Sequence, residues 1–222
     1  MSEKERDGLI PYDPLLAELL FSRGITNVED AEKFLNPNYE KDIHDPFLFK
    51  DMDKAVKRIL KAFKNKPSSA KAMAGGEKIA IFSDYDADGI PGAVVLSDFF
   101  KKIGYENFIV YIPHRNDEGY GMNKEALEKL AKENVKLVIT IDCGISNHDE
   151  VDKANDLGMD VIITDHHLPK EKLPKAYAVI NQKRADCKYP DKNLCGSGLV
   201  WKLISALCLK IRNSKLEIAS TL

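Results

Sequence analysis

What is scarce in these 222 residues narrows the field first. There are only four cysteines, Cys143, Cys187, Cys195 and Cys208, and no two stand at C-x-x-C spacing. That argues against a structural zinc site or a disulfide framework, so reduced thiols are expected. No apolar stretch approaches the ~20 residues of a membrane span, and the first residues, Met1 to Arg6, are charged rather than apolar. A cytoplasmic chain without membrane association is the expectation. Net charge is also slight, at -2. A nucleic-acid partner would have to meet a local basic patch, because the global field does not favour a polyanion. What is plentiful is apolar content, 44%, enough for one substantial core with a small appendage.

The segment Ile79 to Gly92 carries the densest chemistry. Ile79, Ala80, Ile81 and Phe82 form a continuous apolar run of the kind expected for a strand buried on both faces. Asp84, Asp86 and Asp88 follow at alternate positions, and Gly89, Pro91 and Gly92 turn the chain into a helix that ends at Gly104. Three carboxylates at one strand tip repel one another unless a cation neutralises them, and a hard divalent ion with oxygen ligands does so most simply. An EF-hand loop begins similarly but needs a bidentate Glu at its twelfth position, which is Val95 here. Asp86-x-Asp88-Gly89 also resembles the nucleophile corner of haloacid-dehalogenase-type phosphatases. Helix capping accounts for one or two of the carboxylates but not for three.

The first fifty residues read as short helices. Pro14 to Phe21 places Leu15, Leu16, Leu19 and Leu20 on one face, and Asn27 caps a second helix, Val28 to Leu35. A longer helix runs from about Met52 to Phe63, with Ala55, Val56, Ile59, Leu60 and Phe63 inward. Lys54, Lys57, Arg58, Lys61 and Lys64 form its solvated outer face. These observations define a helical leader over residues 1–66 and a Pro/Ser/Gly-containing linker over 67–77. From residue 78 strands and helices alternate. Strands are predicted at Phe108 to Ile112, Leu137 to Ile141, Val161 to Thr164 and Ala178 to Ile180. Helices are predicted near Lys124 to Lys132, from a capping box at Ser146 to Asp149, and over Gly198 to Ile211. The fold class is α/β, a mostly parallel sheet with helices on both faces, preceded by the small helical segment.

In an open parallel sheet the binding site lies beyond the carboxyl ends of the strands. Asp142-Cys143-Gly144 follows one strand and Asp165-His166-His167 follows the next. A single histidine at a strand tip is more often a capping or surface residue than a ligand. Two after an Asp, opposite two further acidic tips, reverse that expectation. Carboxylates with imidazoles suit Mn2+ or Mg2+, and a bridging carboxylate holds two such ions ~3.5 to 4 Å apart. The reaction class is metal-assisted phosphoester hydrolysis.

Asp84-Tyr85-Asp86-Ala87-Asp88-Gly89, Asp142-Cys143-Gly144 and Asp165-His166-His167 together resemble the DHH phosphoesterase superfamily and, within it, the RecJ-like single-strand-specific exonucleases. The likeness extends over most of the chain, from Arg23-Gly24-Ile25 and Phe34-Leu35-Asn36-Pro37 through Pro113-His114-Arg115 to Tyr189-Pro190 and Leu194-Cys195-Gly196-Ser197-Gly198. It implies a metal-dependent exonuclease that trims single-stranded DNA from the 5′ end in repair and recombination, using two Mn2+ or Mg2+ ions. A single-strand-binding protein or helicase is the implied kind of protein partner. Position by position, Asp86, Asp88, Asp142 and His166 match the metal ligands, with Asp142 bridging. Asp84 and His167 lie beside the metals, His167 steadying the scissile phosphate or the leaving group, and Arg115 grips the phosphate of the nucleic-acid end. By its residues alone Arg115 equally fits a cap or a sheet-edge salt bridge. Tyr120, between Gly119 and Gly121, offers a stacking face for a base or fills the core.

Three positions depart from the pattern. Phe82 stands where many members carry a histidine ligand, and Pro91 where a hydroxyl residue is common. The family also implies one more metal-binding Asp from a later motif, and no aspartate follows Asp191. The expectation is an amino-terminal catalytic portion, truncated before that motif and the substrate-binding domain. Two other functions fit the same motifs: a DHH phosphodiesterase of short oligonucleotides or cyclic dinucleotides, and a replication scaffold with a weakened site.

Overall fold

In the computed structural model, residues 7–64 and 76–213 are described. The chain separates into two compact units, Met1–Asp45 and Pro46–Leu222. The smaller holds α1 (Pro14–Phe21), α2 (Val28–Leu35) and the single turn α3 (Tyr39–Asp42). Asp13 Oδ1 accepts from the Leu15 and Leu16 amides, and Asn27 Oδ1 accepts from Asp30 N at 2.9 Å, so both helices start on side-chain caps. Leu9, Ala17, Leu20 and Ala31 make its core. The expected apolar face of α1 is divided: Leu20 is buried, whereas Leu15 and Leu19 are exposed.

The larger unit contains α4 (Met52–Lys64), β1 (Lys78–Ser83), α5 (Gly89–Lys102), β2 (Phe108–Tyr111), α6 (Lys124–Lys132), β3 (Val135–Ile141), α7 (His148–Asp156), β4 (Asp160–Thr164), β5 (Ala178–Ile180) and α8 (Gly196–Asn213). Its five strands are all parallel, in the order β2-β1-β3-β4-β5. Alternation along each strand decides the two cores. Ile79, Ile81, Leu137, Ile139 and Ile162 face one way, into a layer built on α4, α5 and α8. Ala80, Phe82, Val138, Val161 and Ile163 face the other, against residues of α6 and α7. Burial on both faces is why these strands read as unbroken apolar runs.

Two expectations change here. The leader expected over residues 1–66 includes α4, but Met52, Ala55, Val56, Ile59 and Ala62 are fully buried in the first sheet layer, and the division falls between Asp45 and Pro46. Residues 67–75 of the expected linker lie outside the described residues, while Glu77 is already tied in, its amide donating to Ala62 O. Arg58, expected on the solvated face, is only 5% exposed. Its Nε reaches Asp160 Oδ2 at 2.5 Å and its Nη2 reaches Glu77 Oε2 at 2.6 Å, so ion pairing compensates its burial. The four cysteines are free of disulfides, and no described helix is long and apolar enough to cross a membrane.

Candidate metal centre

Strand order reverses between β1 and β3, since the chain goes from β1 outward to β2 and returns to β3 on the other side. At such a switch point the loops after two neighbouring strands part and leave a crevice. Asp84 follows β1 here, and its amide donates to Ile141 O at 3.1 Å. Asp142 follows β3, its amide donating to Thr164 O at 2.9 Å. Asp165 follows β4, with its amide on Ile180 O. Main-chain pairing thus continues one residue past each strand and delivers three motifs to one edge.

The acidic side chains converge there. Ligand oxygens of Asp84, Asp86 and Asp142 lie within 4.8 Å of one another, as do ligand atoms of Asp142, His166 and His167. Asp88 joins them through His166, whose Nε2 is 3.7 Å from Asp88 Oδ2 and 3.1 Å from Asp142 Oδ1. Among the described residues, Asp142 Oδ1 is nevertheless buried with no hydrogen-bond partner. Asp84 Oδ1 is in the same condition. Two orphaned carboxylate oxygens inside one cluster are costly in a protein interior unless something positive meets them.

Charge follows this geometry. Burial, then the fields of Asp88 and Asp86, pushes the Asp142 carboxyl up to about 7. Asp84 is likewise raised, chiefly by burial. Asp86 moves the other way because the Gly89 and Asp88 amides donate to its Oδ1 at 2.9 and 2.8 Å. Capping therefore explains Asp86 in part. Asp88 does not cap its own helix. Burial opposes its charge, but Ser197 N and Oγ, both 2.8 Å from Oδ1, and Gly196 N at 2.5 Å from Oδ2 overcome it and hold the carboxyl low. These donors belong to the first turn of α8, whose dipole adds to the effect.

Asp142 adopts φ +60, a left-handed conformation that costs a non-glycine residue about 1–3 kcal/mol and recurs at functional sites. Two neighbours sustain it. Gly196 leaves room, since a Cβ there would meet Asp142 Cβ at 2.7 Å and Cγ at 2.9 Å. Tyr120 Oη donates to Asp142 O at 2.9 Å. Core filling is therefore not the role of Tyr120: the residue is 52% exposed, with its hydroxyl turned inward and 3.3 Å from His167 Nδ1.

The two histidines differ. His166 is lowered, first by burial and then by the His167 charge, which leaves it a neutral donor of a lone pair. His167 is raised, chiefly by its hydrogen bond to Asp165 Oδ1 at 2.7 Å. Asp165 also accepts from the His167 and Ile145 amides and stays low despite its burial. Asn181 Nδ2 donates to His167 O at 2.8 Å. A carboxylate behind an imidazole is the usual support of a metal-site histidine. A cleft of about 180 Å3 beside this pair is lined by Tyr120, Gly144, Ile145, Ser146, Asn147, Asp165 and His167. Asn147, not Ser146, is the N-cap of α7, and its side chain does not cap the helix but exchanges contacts with the Met122 main chain. The expected capping box is therefore absent.

Among the described residues, Arg115 forms neither the cap nor the salt bridge open to it by sequence. It is exposed, and its guanidinium lies 4.3 Å from the centroid of the Tyr85 ring. Phe82 is fully buried in the second layer and stacks on Tyr111, so it offers the site no ligand. Asp165 and the Gly196-Ser197 pair stand in motifs singled out by sequence, but without a supporting role, and Asn181 and Lys183, whose charge depresses both histidines, have no role assigned from sequence.

Oxygen and imidazole donors, two of them orphaned, compose a set fitted to a hard or borderline divalent ion. Residues 78–222 match the model of the DHH family, N-terminal domain, and the chain belongs to that family. It is 38% identical over 93% of its length to the single-stranded-DNA-specific exonuclease RecJ of Bacillus subtilis, and spans 25% of that relative. Among solved structures it resembles an exonuclease RecJ bound to manganese, at 30% identity and TM-score 0.63, covering 73% of this chain and 38% of the other. It also resembles RecJ of Thermus thermophilus in complex with Mn2+, at 25% identity and TM-score 0.67, covering 94% and 27%. The chain thus spans about a quarter to two fifths of the proteins it matches.

Proposed function

We propose that this chain forms the catalytic, amino-terminal part of a metal-dependent exonuclease that removes mononucleotides from the 5′ end of single-stranded DNA. The observation that carries the reading is the pair of buried, unpartnered oxygens on Asp84 and Asp142, set among Asp86, Asp88 and His166 at the switch point. The names and bound manganese of the similar proteins support it. Asp86, Asp88, Asp142 and His166 would hold Mn2+ or Mg2+, with Asp84 alongside. Two such ions, when bound, would supply Lewis acidity for the attack of water on phosphorus. Arg115 offers its fork to a phosphate at the strand end. His167, fixed by Asp165, faces the departing oxygen. Unpaired ends are the substrate, in repair and recombination in the cytoplasm, and a single-strand-binding protein or helicase is the partner class that supplies them.

The test is the full-length protein with Mn2+ and, in parallel, end-labelled long single strands, duplexes and dinucleotides. Stepwise release of mononucleotides from single strands alone is expected. Cleavage confined to dinucleotides or cyclic dinucleotides would establish the phosphodiesterase reading instead, and absence of hydrolysis with intact metal binding would establish a scaffold.

A further inference from the structure

We propose that Tyr85 is a positioning residue whose ring holds the Arg115 guanidinium in the orientation from which it receives a terminal phosphate. The inference rests on the reading of Arg115 as the phosphate ligand and adds the residue that orients it.

Tyr85 stands between Asp84 and Asp86 at the tip of β1, and Arg115 lies in the loop after β2. These strands are neighbours, paired Phe82 to Tyr111 near their carboxyl ends, so their loops leave the sheet side by side. Arg115 Cζ lies 4.3 Å from the Tyr85 ring centroid, inside the ~6 Å range of a cation–π contact. Tyr85 is half-buried and Arg115 exposed. Among the described residues, Arg115 makes no ion pair or hydrogen bond.

That combination is unusual beside an acidic cluster. A free arginine next to Asp84, Asp86 and Asp88 would swing onto a carboxylate, neutralise it and lose its donors to it. Stacking gives the guanidinium another resting place. Arg115 Cζ rests over the ring, while the guanidinium N–H groups, unpaired among the described residues, are left for an oxyanion. Rotamer freedom is surrendered before the strand arrives, so less is lost on binding. A leucine in place of Tyr85 has no π face to offer.

The experiment compares the 5′-phosphorylated and 5′-hydroxyl forms of one labelled oligothymidylate, using full-length protein with Mn2+. The quantity read is the ratio of kcat/KM for the two strands. Arg115→Ala is expected to collapse the ratio. Tyr85→Leu should lower it about 2- to 5-fold, through KM rather than kcat. Tyr85→Phe should keep the wild-type ratio because the ring remains. In an Arg115→Ala background, Tyr85→Leu should have no further effect. Tyr85→Gln replaces the leucine variant if that one fails to fold by circular dichroism. An unchanged ratio in Tyr85→Leu alongside a collapsed one in Arg115→Ala overturns the role of Tyr85 and leaves Arg115 standing. Equal losses in Tyr85→Phe and Tyr85→Leu also overturn it. An unchanged ratio in Arg115→Ala removes the reading beneath it, and both fall together.

Discussion

Asp88 and Gly196 stand 108 residues apart, and the amide of Gly196 donates to Asp88 Oδ2 at 2.5 Å. This contact joins the first acidic motif to the head of α8. It turns a carboxylate expected to ligate metal into one whose position is also set by a helix terminus. The same glycine abuts the Asp142 side chain, so one residue sets the spacing of two carboxylates.

Gly196→Ala should therefore damage the centre without touching a ligand. The added methyl would press on Asp142 Cβ at 2.7 Å, and overpacking of this kind costs about 1–3 kcal/mol. Thermal melts in the presence and absence of Mn2+ check it. The expected result is a lower melting temperature together with a smaller Mn2+-induced rise, whereas a purely structural effect would leave the rise intact.

The metal-free protein should lose stability as pH rises from about 4 to about 7. Asp142 has a folded pKa of about 7, above its ordinary 3.8, and Asp84 is shifted in the same direction. Between these values the folded state holds more protons than the unfolded one, so raising pH favours unfolding. Asp86, Asp88 and Asp165 have lowered values and act oppositely, withdrawing their stabilisation only in acid below about 4. Urea melts across pH 4–8 in EDTA read the slope, and excess Mn2+ should abolish it.

Tyr120→Phe removes the hydroxyl bound to Asp142 O at 2.9 Å. Loss of one such bond costs about 0.5–1.5 kcal/mol. Because the acceptor belongs to the residue at φ +60, the loss should appear as weaker Mn2+ binding, on the order of 2- to 10-fold. Electron paramagnetic resonance of free Mn2+ measures it directly.

Arg58→Ala should lower stability by about 2–3 kcal/mol, somewhat less than for a fully enclosed pair, because the Asp160 side chain is 42% exposed. Arg58 lies on α4, away from the acidic cluster, so Mn2+ affinity should be unchanged. Denaturant melts and a Mn2+ titration separate the two effects.

Much of the sheet is legible in the sequence because its signal is local. Strands buried on both faces show as apolar runs, and β5 matches its expected span, Ala178–Ile180. The acidic tips are legible because β1, β3 and β4 are each followed directly by an aspartate, and a parallel sheet sends all such ends to one edge. Arg58 is misread because helical periodicity places a charged residue outward and cannot register an ion-pair partner 102 residues away. The contact of Tyr120 with Asp142 is not legible because a glycine-flanked aromatic gives no sign of where its hydroxyl points. The capping box fails because a four-residue pattern does not know that Asn147 is engaged by the Met122 main chain. Each miss is a long-range pairing that no local window contains.

Under the proposed function, Asp142 is the carboxylate on which the metal site depends most. The most direct measurement is a Mn2+ titration of the full-length protein and its Asp142→Asn variant, paired with release of nucleotides from a labelled single strand. Asparagine preserves shape and removes charge. Loss of at least about tenfold in Mn2+ affinity, together with loss of hydrolysis, is the result this structure predicts. A variant that binds Mn2+ as the wild type does and still trims the strand would contradict it.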